Sequence, residues 1–257
     1  MSPPPVFPAN SVYTRCYCEE NVYLLCDQFL KDTSVTERWE AYAVFISNEN
    51  KTAALWYQKA ARVEGNPVIW DYHVILVLRP RNEADTLESL DSGSLSAQYE
   101  ADQSGSWVYD FDTTLPAYMG LNLQMSDYLS LTFPEGLLPA YESKFRVVPG
   151  VLFLQHFASD RSHMIVKPNS TVNGSTDTDA LCTPAYSASP PTYAPICGKL
   201  ALKSGISHNL MTHYVAMKTM EVDESQAGNY GFVLDRDKAE EFFSMWKDED
   251  ETEADCM

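Results

Sequence analysis

The 257-residue chain carries 18 basic and 36 acidic residues, a formal net charge of −18, with 45% hydrophobic and 12% aromatic residues. This length and apolar content suit one large or two small globular domains with a continuous core, and they exclude a wholly disordered chain. The acidic excess argues against nucleic acid or anionic lipid as a partner, because both are bound by clustered lysine and arginine.

Over half of the acidic excess lies in two polar stretches. Residues 81–106 carry six acidic residues against one arginine, and residues 247–257 carry six against one lysine. We interpret the first as a loop insertion and the second as an acidic tail, so that the rest of the chain is only modestly acidic.

The amino terminus is rich in proline and lacks the basic and apolar segments of a signal peptide. Residues 1–14 are therefore predicted to form an extended arm. No apolar run reaches the roughly 18 residues of a membrane span. We expect the six cysteines to be free thiols in a soluble protein of the cytoplasm, with the nucleus as an alternative location.

The first half of the chain shows a helix followed by strands. Apolar residues at three- and four-residue spacing predict a helix over residues 19–30. A buried strand is predicted over 41–46, with a partner strand over 54–57 across the turn at 47–50. Residues 67–78 alternate as one long strand, and residues 107–112 resume as its antiparallel return.

The second half is less regular. Residues 117–140 are predicted to be helical in part, and 145–148 to be a short strand closed by Pro149 and Gly150. Proline, serine and threonine over 168–197 indicate a second loop insertion. A last strand over 230–234 precedes a helix from about 236 to 246, capped by Asp235. The simplest account is one α+β domain over residues 15–246.

Three residues of this pattern fit together chemically. Cys18 stands at the amino end of the first helix, where free backbone N–H groups and the helix dipole stabilise a thiolate and could line an oxyanion hole. His73 lies within the long strand, and Asp110 lies on the strand expected to return beside it. A thiol, a base and an orienting carboxylate are the groups that acyl transfer needs.

Other interpretations of the same residues stay open. A cysteine at a helix start and a histidine among valines are often ordinary core residues. Cys16, Cys18 and Cys26 could instead hold zinc, although the spacing lacks a C-x-x-C pair. The Ser, Asp and His of residues 159–163 crowd into one short stretch, which is more typical of a hydrogen-bonded turn. No glycine motif for a phosphate is present.

Several motifs give the sequence a family likeness. The segments C-Y-C-E-E-N at 16–21, Y-A-V-F-I-S-N at 42–48, W-D-Y-H-V at 70–74, Y-D-F-D at 109–112 and F-A-S-D-R-S-H-M at 157–164 resemble the protein N-terminal glutamine amidohydrolase family. The resemblance implies a papain- or transglutaminase-like α+β fold, with an antiparallel sheet packed against helices. It also implies a triad of Cys18, His73 and Asp110.

The family's activity sets the expected function. The resemblance implies hydrolysis of the side-chain amide of an amino-terminal glutamine to glutamate and ammonia, in the N-degron pathway, without metal or organic cofactor. The loop between His73 and Asp110 is longer here than the family's hairpin. Rival hypotheses are a papain-like peptidase, a transglutaminase, or a non-catalytic protein that binds amino-terminal residues.

Substrate recognition calls for a carboxylate that binds the free α-ammonium group. Glu20 and Asp71 are the preferred candidates, with Asp112 as a third. Trp70 and Tyr72 are predicted to wall the pocket together with Tyr17. The expected partners are proteins or peptides with an amino-terminal glutamine, and the expected state is a monomer.

Overall fold

The computed structural model describes residues 4–81, 105–115, 123–166, 185–217 and 228–244. Within these ranges lie eight strands and six α-helices. The strands are β1 (Trp39–Ser47), β2 (Ala53–Leu55), β3 (Val68–Trp70), β4 (His73–Pro80), β5 (Trp107–Tyr109), β6 (Leu123–Gln124), β7 (Lys144–Pro149) and β8 (Phe232–Leu234). The helices are α1 (Cys18–Lys31), α2 (Thr33–Thr36), α3 (Met125–Thr132), α4 (Gly150–His156), α5 (Lys199–Lys203) and α6 (Arg236–Ser244).

Six of the strands form one antiparallel sheet in the order β6-β5-β4-β1-β7-β8. Its central strand β1 is buried along almost its whole length, because helices cover both faces of the sheet. β2 and β3 pair separately as a two-stranded sheet. The chain is thus an α+β protein with an antiparallel sheet packed against helices, as the sequence predicts.

The first helix forms where the sequence predicts it and positions the candidate nucleophile. Val22, Leu25 and Phe29 repeat at three- and four-residue spacing and lie buried against the sheet. On the same face, α4 contributes Phe153 to this core. α1 therefore lies across β1 and β4, with its amino end directed at the start of β4.

The opposite face of the sheet carries a second apolar core. Tyr128 and Leu129 of α3 and Phe243 of α6 pack there against Val44 and Val77 of the sheet. α6 begins after Asp235, whose carboxylate accepts a hydrogen bond from the backbone N–H of Lys238 at 2.9 Å. The predicted cap and carboxyl-terminal helix are confirmed.

The predicted hairpin of residues 41–57 is wrong in its pairing. β2 lies close to the predicted position, but it pairs with β3 and not with β1. The side chain of Asn48 explains the difference. Its oxygen accepts from the N–H groups of Asn50 and Thr52, and its amide donates to the carbonyl oxygens of Ala140 and Glu142. These bonds direct the chain away from β1.

The long strand predicted over 67–78 is two strands in two different sheets. The chain bends at Asp71, whose carbonyl accepts a 2.5 Å hydrogen bond from the Ser47 hydroxyl and whose carboxylate accepts one from the N–H of Tyr72. His73 is consequently the first residue of β4 and not a mid-strand residue. The predicted antiparallel return is confirmed, since Leu76 of β4 lies opposite Tyr109 of β5.

The predicted strand over 145–148 is confirmed as β7, but Pro149 and Gly150 do not close it with a turn. Gly150 is instead the first residue of α4. A side chain there would not fit, because a Cβ atom on Gly150 would lie 2.7 Å from the Cys26 sulfur and 2.9 Å from the Ala41 carbonyl oxygen. The glycine lets α4 begin directly against α1 and β1.

The amino-terminal arm packs against the end of β5. Phe7 meets Tyr109 and Phe111 edge-on, and Tyr13 stacks on Phe111 while its hydroxyl donates to Asp112 at 2.6 Å. The four described cysteines, which are Cys16, Cys18, Cys26 and Cys197, are free thiols. None of the described helices combines the length and apolarity needed to cross a bilayer.

Several predictions fall outside the described residues. These are the acidic tail at 247–257, most of the insertion at 81–106, the first half of the loop at 168–197, and Trp246.

Candidate active site

The site is built around the amino end of α1. Cys18 is the first residue of the helix, and the backbone N–H groups of Glu20 and Asn21 donate to the carbonyl of Tyr17. The backbone N–H of Val74, the residue after His73, lowers the pKa of the Cys18 thiol. The thiol therefore lies near the start of β4, the strand that His73 begins.

His73 and Asp110 form a buried pair across β4 and β5. The imidazole Nε2 lies 2.9 Å from the Asp110 Oδ1, and both side chains are almost fully buried. The other ring nitrogen, Nδ1, is buried and has no hydrogen-bond partner among the described residues. An Nε2–H that donates to Asp110 leaves the Nδ1 lone pair available to accept the thiol proton.

Three further groups hold the carboxylate of Asp110. The backbone N–H of Asp112 donates to Oδ1 at 2.8 Å, the hydroxyl of Tyr128 donates to Oδ2 at 2.9 Å, and the Gln58 amide donates to Oδ2 at 3.4 Å. Trp70 stacks on the His73 ring with a centroid separation of 5.7 Å and an angle of 21°. The imidazole is thus fixed by a ring on its face and a carboxylate at its edge.

The electrostatics of this pair make His73 a stronger base. Burial lowers the pKa of His73, but the charge and hydrogen bond of Asp110, with the charge of Asp112, outweigh it, so the net shift is upward. Burial raises the pKa of Asp110, but His73, the Asp112 N–H and Tyr128 outweigh that effect and lower it. The base is therefore more basic than free histidine, and its partner is ionised.

The thiol differs from the sequence-based expectation of a stabilised thiolate. Burial raises the pKa of Cys18 well above its usual value, the charges of Glu19 and Asp112 raise it further, and only the Val74 N–H opposes them. The exclusion of water raises the pKa of the thiol more than the amino end of the helix lowers it, because a thiolate is costly to hold away from water. Cys18 is thus held as a thiol in the free protein.

A second buried acid lies next to the nucleophile. Glu19 is fully buried, and its Oε2 lies 3.8 Å from the Cys18 sulfur and 3.0 Å from the Tyr72 hydroxyl, which donates to it. The Tyr72 hydroxyl also lies 3.2 Å from His163 Nε2. Burial raises the pKa of Glu19 to about 8 and lowers that of His163 to about 4.

Glu20, a preferred candidate for the substrate ammonium group, already has a cationic partner. Both of its carboxylate oxygens accept hydrogen bonds from Arg161, at 2.7 and 2.8 Å, in a buried bidentate pair. Asp71, the other preferred candidate, is exposed and accepts from the N–H of Tyr72. Tyr72 is buried between Glu19 and His163, and Trp70 stacks on the candidate base, so neither is a simple wall.

Within the described ranges, one group of side chains has the spacing of a metal site. His73, Asp110 and Asp112 offer ligand atoms that all lie within 4.8 Å of one another. The Nε2 of His73 and the Oδ1 of Asp110 are already joined to each other. A metal ion there would have to break the pair that makes His73 basic.

The structure pairs two of the three residues of the predicted triad, His73 and Asp110, and places Cys18 at the first residue of α1, a helix that packs on β4. Sequence reasoning missed Glu19, Tyr128 and Gln58. Nothing in the sequence distinguishes Glu19, because an acidic first turn is common on exposed helices. No sequence pattern marks Tyr128 or Gln58, since each reaches Asp110 only through the tertiary fold.

A thiol at a helix amino end beside a buried His–Asp pair is the side-chain arrangement of cysteine-dependent hydrolases and acyltransferases. Residues 13–243 match the model of the N-terminal glutamine amidase family. The chain belongs to that family.

Related proteins agree with this assignment. The chain is 42% identical over 153 residues to the protein N-terminal glutamine amidohydrolase of Danio rerio, a match that covers 60% of this chain and 63% of that protein. It is 37% identical over 207 residues to the Arabidopsis thaliana protein of the same name, covering 80% and 75%. The Bos taurus protein is 39% identical over 153 residues, covering 60% and 62%.

Proposed function

We propose that this protein hydrolyses the side-chain amide of an amino-terminal glutamine, giving amino-terminal glutamate and ammonia. One observation carries the proposal: in a chain of this family, a buried His73–Asp110 pair leaves Nδ1 of His73 without a partner among the described residues, at the start of the strand on which the helix of Cys18 packs. The names of the related proteins state the same substrate.

The proposed chemistry divides into two steps. In the first, His73 Nδ1 takes the thiol proton as the Cys18 sulfur attacks the side-chain carbonyl carbon, and Asp110 stabilises the imidazolium. The imidazolium then protonates the departing nitrogen, which leaves as ammonia. The acyl group stays on the Cys18 sulfur as a γ-thioester. In the second step, His73 removes a proton from water, which attacks the thioester and releases glutamate.

The wider setting is also a proposal. The nucleophile at a helix end and the base and carboxylate on adjacent antiparallel strands support a papain- or transglutaminase-like fold. The backbone N–H groups at the amino end of α1 would bind the oxyanion. We place the reaction in the N-degron pathway of the cytoplasm, where the glutamate produced is a destabilising terminus, and we take the enzyme to act as a monomer.

The deciding experiment measures ammonia released from a short peptide that begins with glutamine. We expect release by the wild type and none above background for Cys18→Ala, because the proposed thioester forms on the Cys18 sulfur. Cys26→Ala is the matched control, a buried thiol on the same helix that faces α4. It should keep the turnover number while losing stability.

Other results would favour the rival activities. Cleavage of the peptide backbone would indicate a peptidase, and incorporation of an added amine would indicate a transglutaminase. A Cys18→Ala protein as active as wild type would contradict the assigned nucleophile. Tight binding of the peptide without any turnover would favour a binding protein.

A further inference from the structure

Glu19 is a buried acid without a compensating cation among the described residues. It is fully shielded from solvent, and its Oε1 has no hydrogen-bond partner in the described part of the chain. The nearest basic group is His163 Nε2 at 3.6 Å, but burial lowers the pKa of that imidazole to about 4 and leaves it neutral. A carboxylate so placed is costly unless a ligand supplies the missing charge.

The neighbouring Glu20, in the same helical turn, is a buried acid whose charge is paired with a cation. Arg161 donates two hydrogen bonds to it, and the guanidinium lies within 6 Å of the Tyr17 and Tyr193 rings, at 5.9 and 5.2 Å from their centroids. Glu20 is therefore neutralised by the protein itself. Glu19, one residue from the nucleophile, has no such partner among the described residues, and an ammonium ligand would favour its ionised form.

The proposed reaction creates a particular hazard at this position. Its γ-thioester carries a free α-amine that can reach the carbonyl carbon through a five-membered ring. The amine nitrogen attacks that carbon, a C–N bond forms, the C–S bond breaks, and the amine proton passes to the Cys18 sulfur. The products are a pyroglutamyl peptide and free enzyme, with no glutamate formed.

Ring closure competes strongly with water. Well-oriented intramolecular attack reaches effective concentrations of roughly 10⁵–10⁸ M. A free α-amine has a pKa of about 8 in water, so that roughly a tenth of it is unprotonated at neutral pH. Only the unprotonated amine has the lone pair needed for attack. An enzyme that makes glutamate therefore needs to keep this nitrogen protonated.

We propose that Glu19 binds the α-ammonium group of the substrate and holds it protonated, so that the thioester is hydrolysed and does not close to pyroglutamate. The inference rests on the proposed function and adds the residue that reads the free amino terminus. An ion pair with Glu19 raises the pKa of the bound amine, because an opposite charge favours the charged form. The same contact excludes an internal glutamine, which has no ammonium group.

The surroundings of Glu19 suit an incoming cation. Its neighbours are the Cys18 thiol, the Tyr72 hydroxyl, the neutral His163, its own backbone N–H and the carboxylate of Glu20. Among these, Glu20 is the charged group, and its charge is paired with Arg161. Tyr72 donates to Oε2 and fixes the carboxyl group, which leaves Oε1 free for the ligand.

The test compares wild type with Glu19→Gln and measures glutamyl and pyroglutamyl products by mass spectrometry. Uncatalysed cyclisation is subtracted by means of Cys18→Ala. We expect the pyroglutamyl fraction to rise at least about tenfold in Glu19→Gln, since each pKa unit lost gives ten times more free amine. Glu19→Asp keeps the carboxylate and serves as a second variant, with an intermediate fraction expected.

A second readout uses a substrate without the ammonium group. A peptide that carries hydrogen in place of the α-amino group keeps the amide but cannot cyclise. Wild type should prefer the glutamine peptide in kcat/KM, and Glu19→Gln should lose about tenfold or more of that preference. Asp71→Asn is the matched comparison, because Asp71 is a rival acid near the site.

The outcomes separate this inference from the proposed function. If wild type releases no Cys18-dependent ammonia, the proposed function fails, and the inference fails with it. If wild type releases ammonia while Glu19→Gln and Glu19→Asp retain its product ratio and substrate preference, only the inference is overturned. The same holds if Asp71→Asn alone shows the changes.

Discussion

The carboxylate of Asp110 accepts hydrogen bonds from Tyr128, Gln58 and the Asp112 N–H in addition to its contact with His73. Tyr128→Phe removes one donor without changing shape. A hydrogen bond to a charged group contributes about 1.5–3 kcal/mol, so we expect kcat/KM to fall roughly tenfold or more. The pKa of Asp110 should rise, which moves the acid limb of the pH–rate profile to higher pH.

Tyr214→Phe is the control for that measurement. Tyr214 is equally buried, and its hydroxyl has no partner within the described residues. Its loss should leave both activity and the pH profile unchanged. Equal effects of the two substitutions would show that Tyr128 acts only through packing.

Glu19 also has a consequence for stability that needs no substrate. Its pKa is raised from 4.5 to about 8, so between these values the folded protein keeps a proton that the unfolded chain releases. The contribution of Glu19 to stability therefore falls as pH rises from 4.5 to 8. His163, lowered from 6.5 to about 4, contributes in the opposite direction between pH 4 and 6.5.

Glu19→Gln should remove the pH dependence of stability that comes from Glu19 and keep the one that comes from His163. In urea unfolding, the stability of Glu19→Gln relative to wild type should increase steadily between pH 5 and pH 8. Parallel curves for the two proteins would mean that Glu19 is ionised throughout and would contradict its raised pKa.

At the residue scale, the sequence predicts which residues form the candidate site, but it does not predict their protonation states, which depend on burial. Cys18, His73 and Asp110 are predicted from their residue types and positions, and the structure pairs His73 with Asp110. Their resting states are not readable from the chain, because the pKa of Cys18 depends on solvent exclusion by residues from several elements.

At the scale of elements, Arg161 connects the first turn of α1 to two loops. Its guanidinium bonds Glu20 and also donates to the carbonyl oxygens of Pro191 and Tyr193, and its backbone adopts φ 62°, in the left-handed region. Arg161→Met leaves the Glu20 charge buried and unpaired, which should destabilise the protein by about 3–5 kcal/mol. Urea unfolding measures this change.

Two further variants give that result its meaning. The double variant Glu20→Gln, Arg161→Met should be less destabilised than Arg161→Met alone, because no unpaired charge remains. Lys31→Met, which breaks the exposed pair with Asp27, should change stability by at most about 1 kcal/mol. If Arg161→Met lowers the free energy of unfolding no more than Lys31→Met does, the buried Glu20–Arg161 pair does not stabilise the fold.

The elements themselves were predictable where periodicity is unbroken. α1, β1 and α6 follow from apolar spacing and a cap. The division of residues 67–78 into β3 and β4 was not predictable, because alternation continues through Asp71 and Tyr72 while the chain passes between sheets. That passage is fixed by the Ser47 hydroxyl, which is distant in the sequence.

At the scale of the whole molecule, the strand ends that flank the acidic insertion in the sequence lie away from the His73–Asp110 pair. His73 begins β4 and Asp110 follows β5, whereas the insertion joins the opposite ends of these strands, at Arg81 and Gly105. His73 lies seven strand steps, roughly 23 Å, from Pro80, and Asp110 lies three steps, roughly 10 Å, from Trp107. Both distances exceed the Debye length of about 8 Å at physiological ionic strength.

Deletion of residues 84–104 tests that separation. It removes five acidic residues and leaves five residues, a normal hairpin loop, between Pro80 and Trp107. We expect an unchanged kcat/KM and an unchanged dependence on salt, with lower solubility. A raised KM together with weaker salt dependence would show that the insertion's charge acts at the pocket.

The pairing of Leu78 with Trp107 closes the hairpin before the chain departs into the insertion. The entropy of closing a loop grows only logarithmically, by about 0.6 kcal/mol for each doubling of its length. The chain can therefore be lengthened or shortened here at little cost to the free energy of folding and without moving the His73–Asp110 pair. The same position should accept a fluorescent domain with adjacent termini, which would report on the protein while it still turns over.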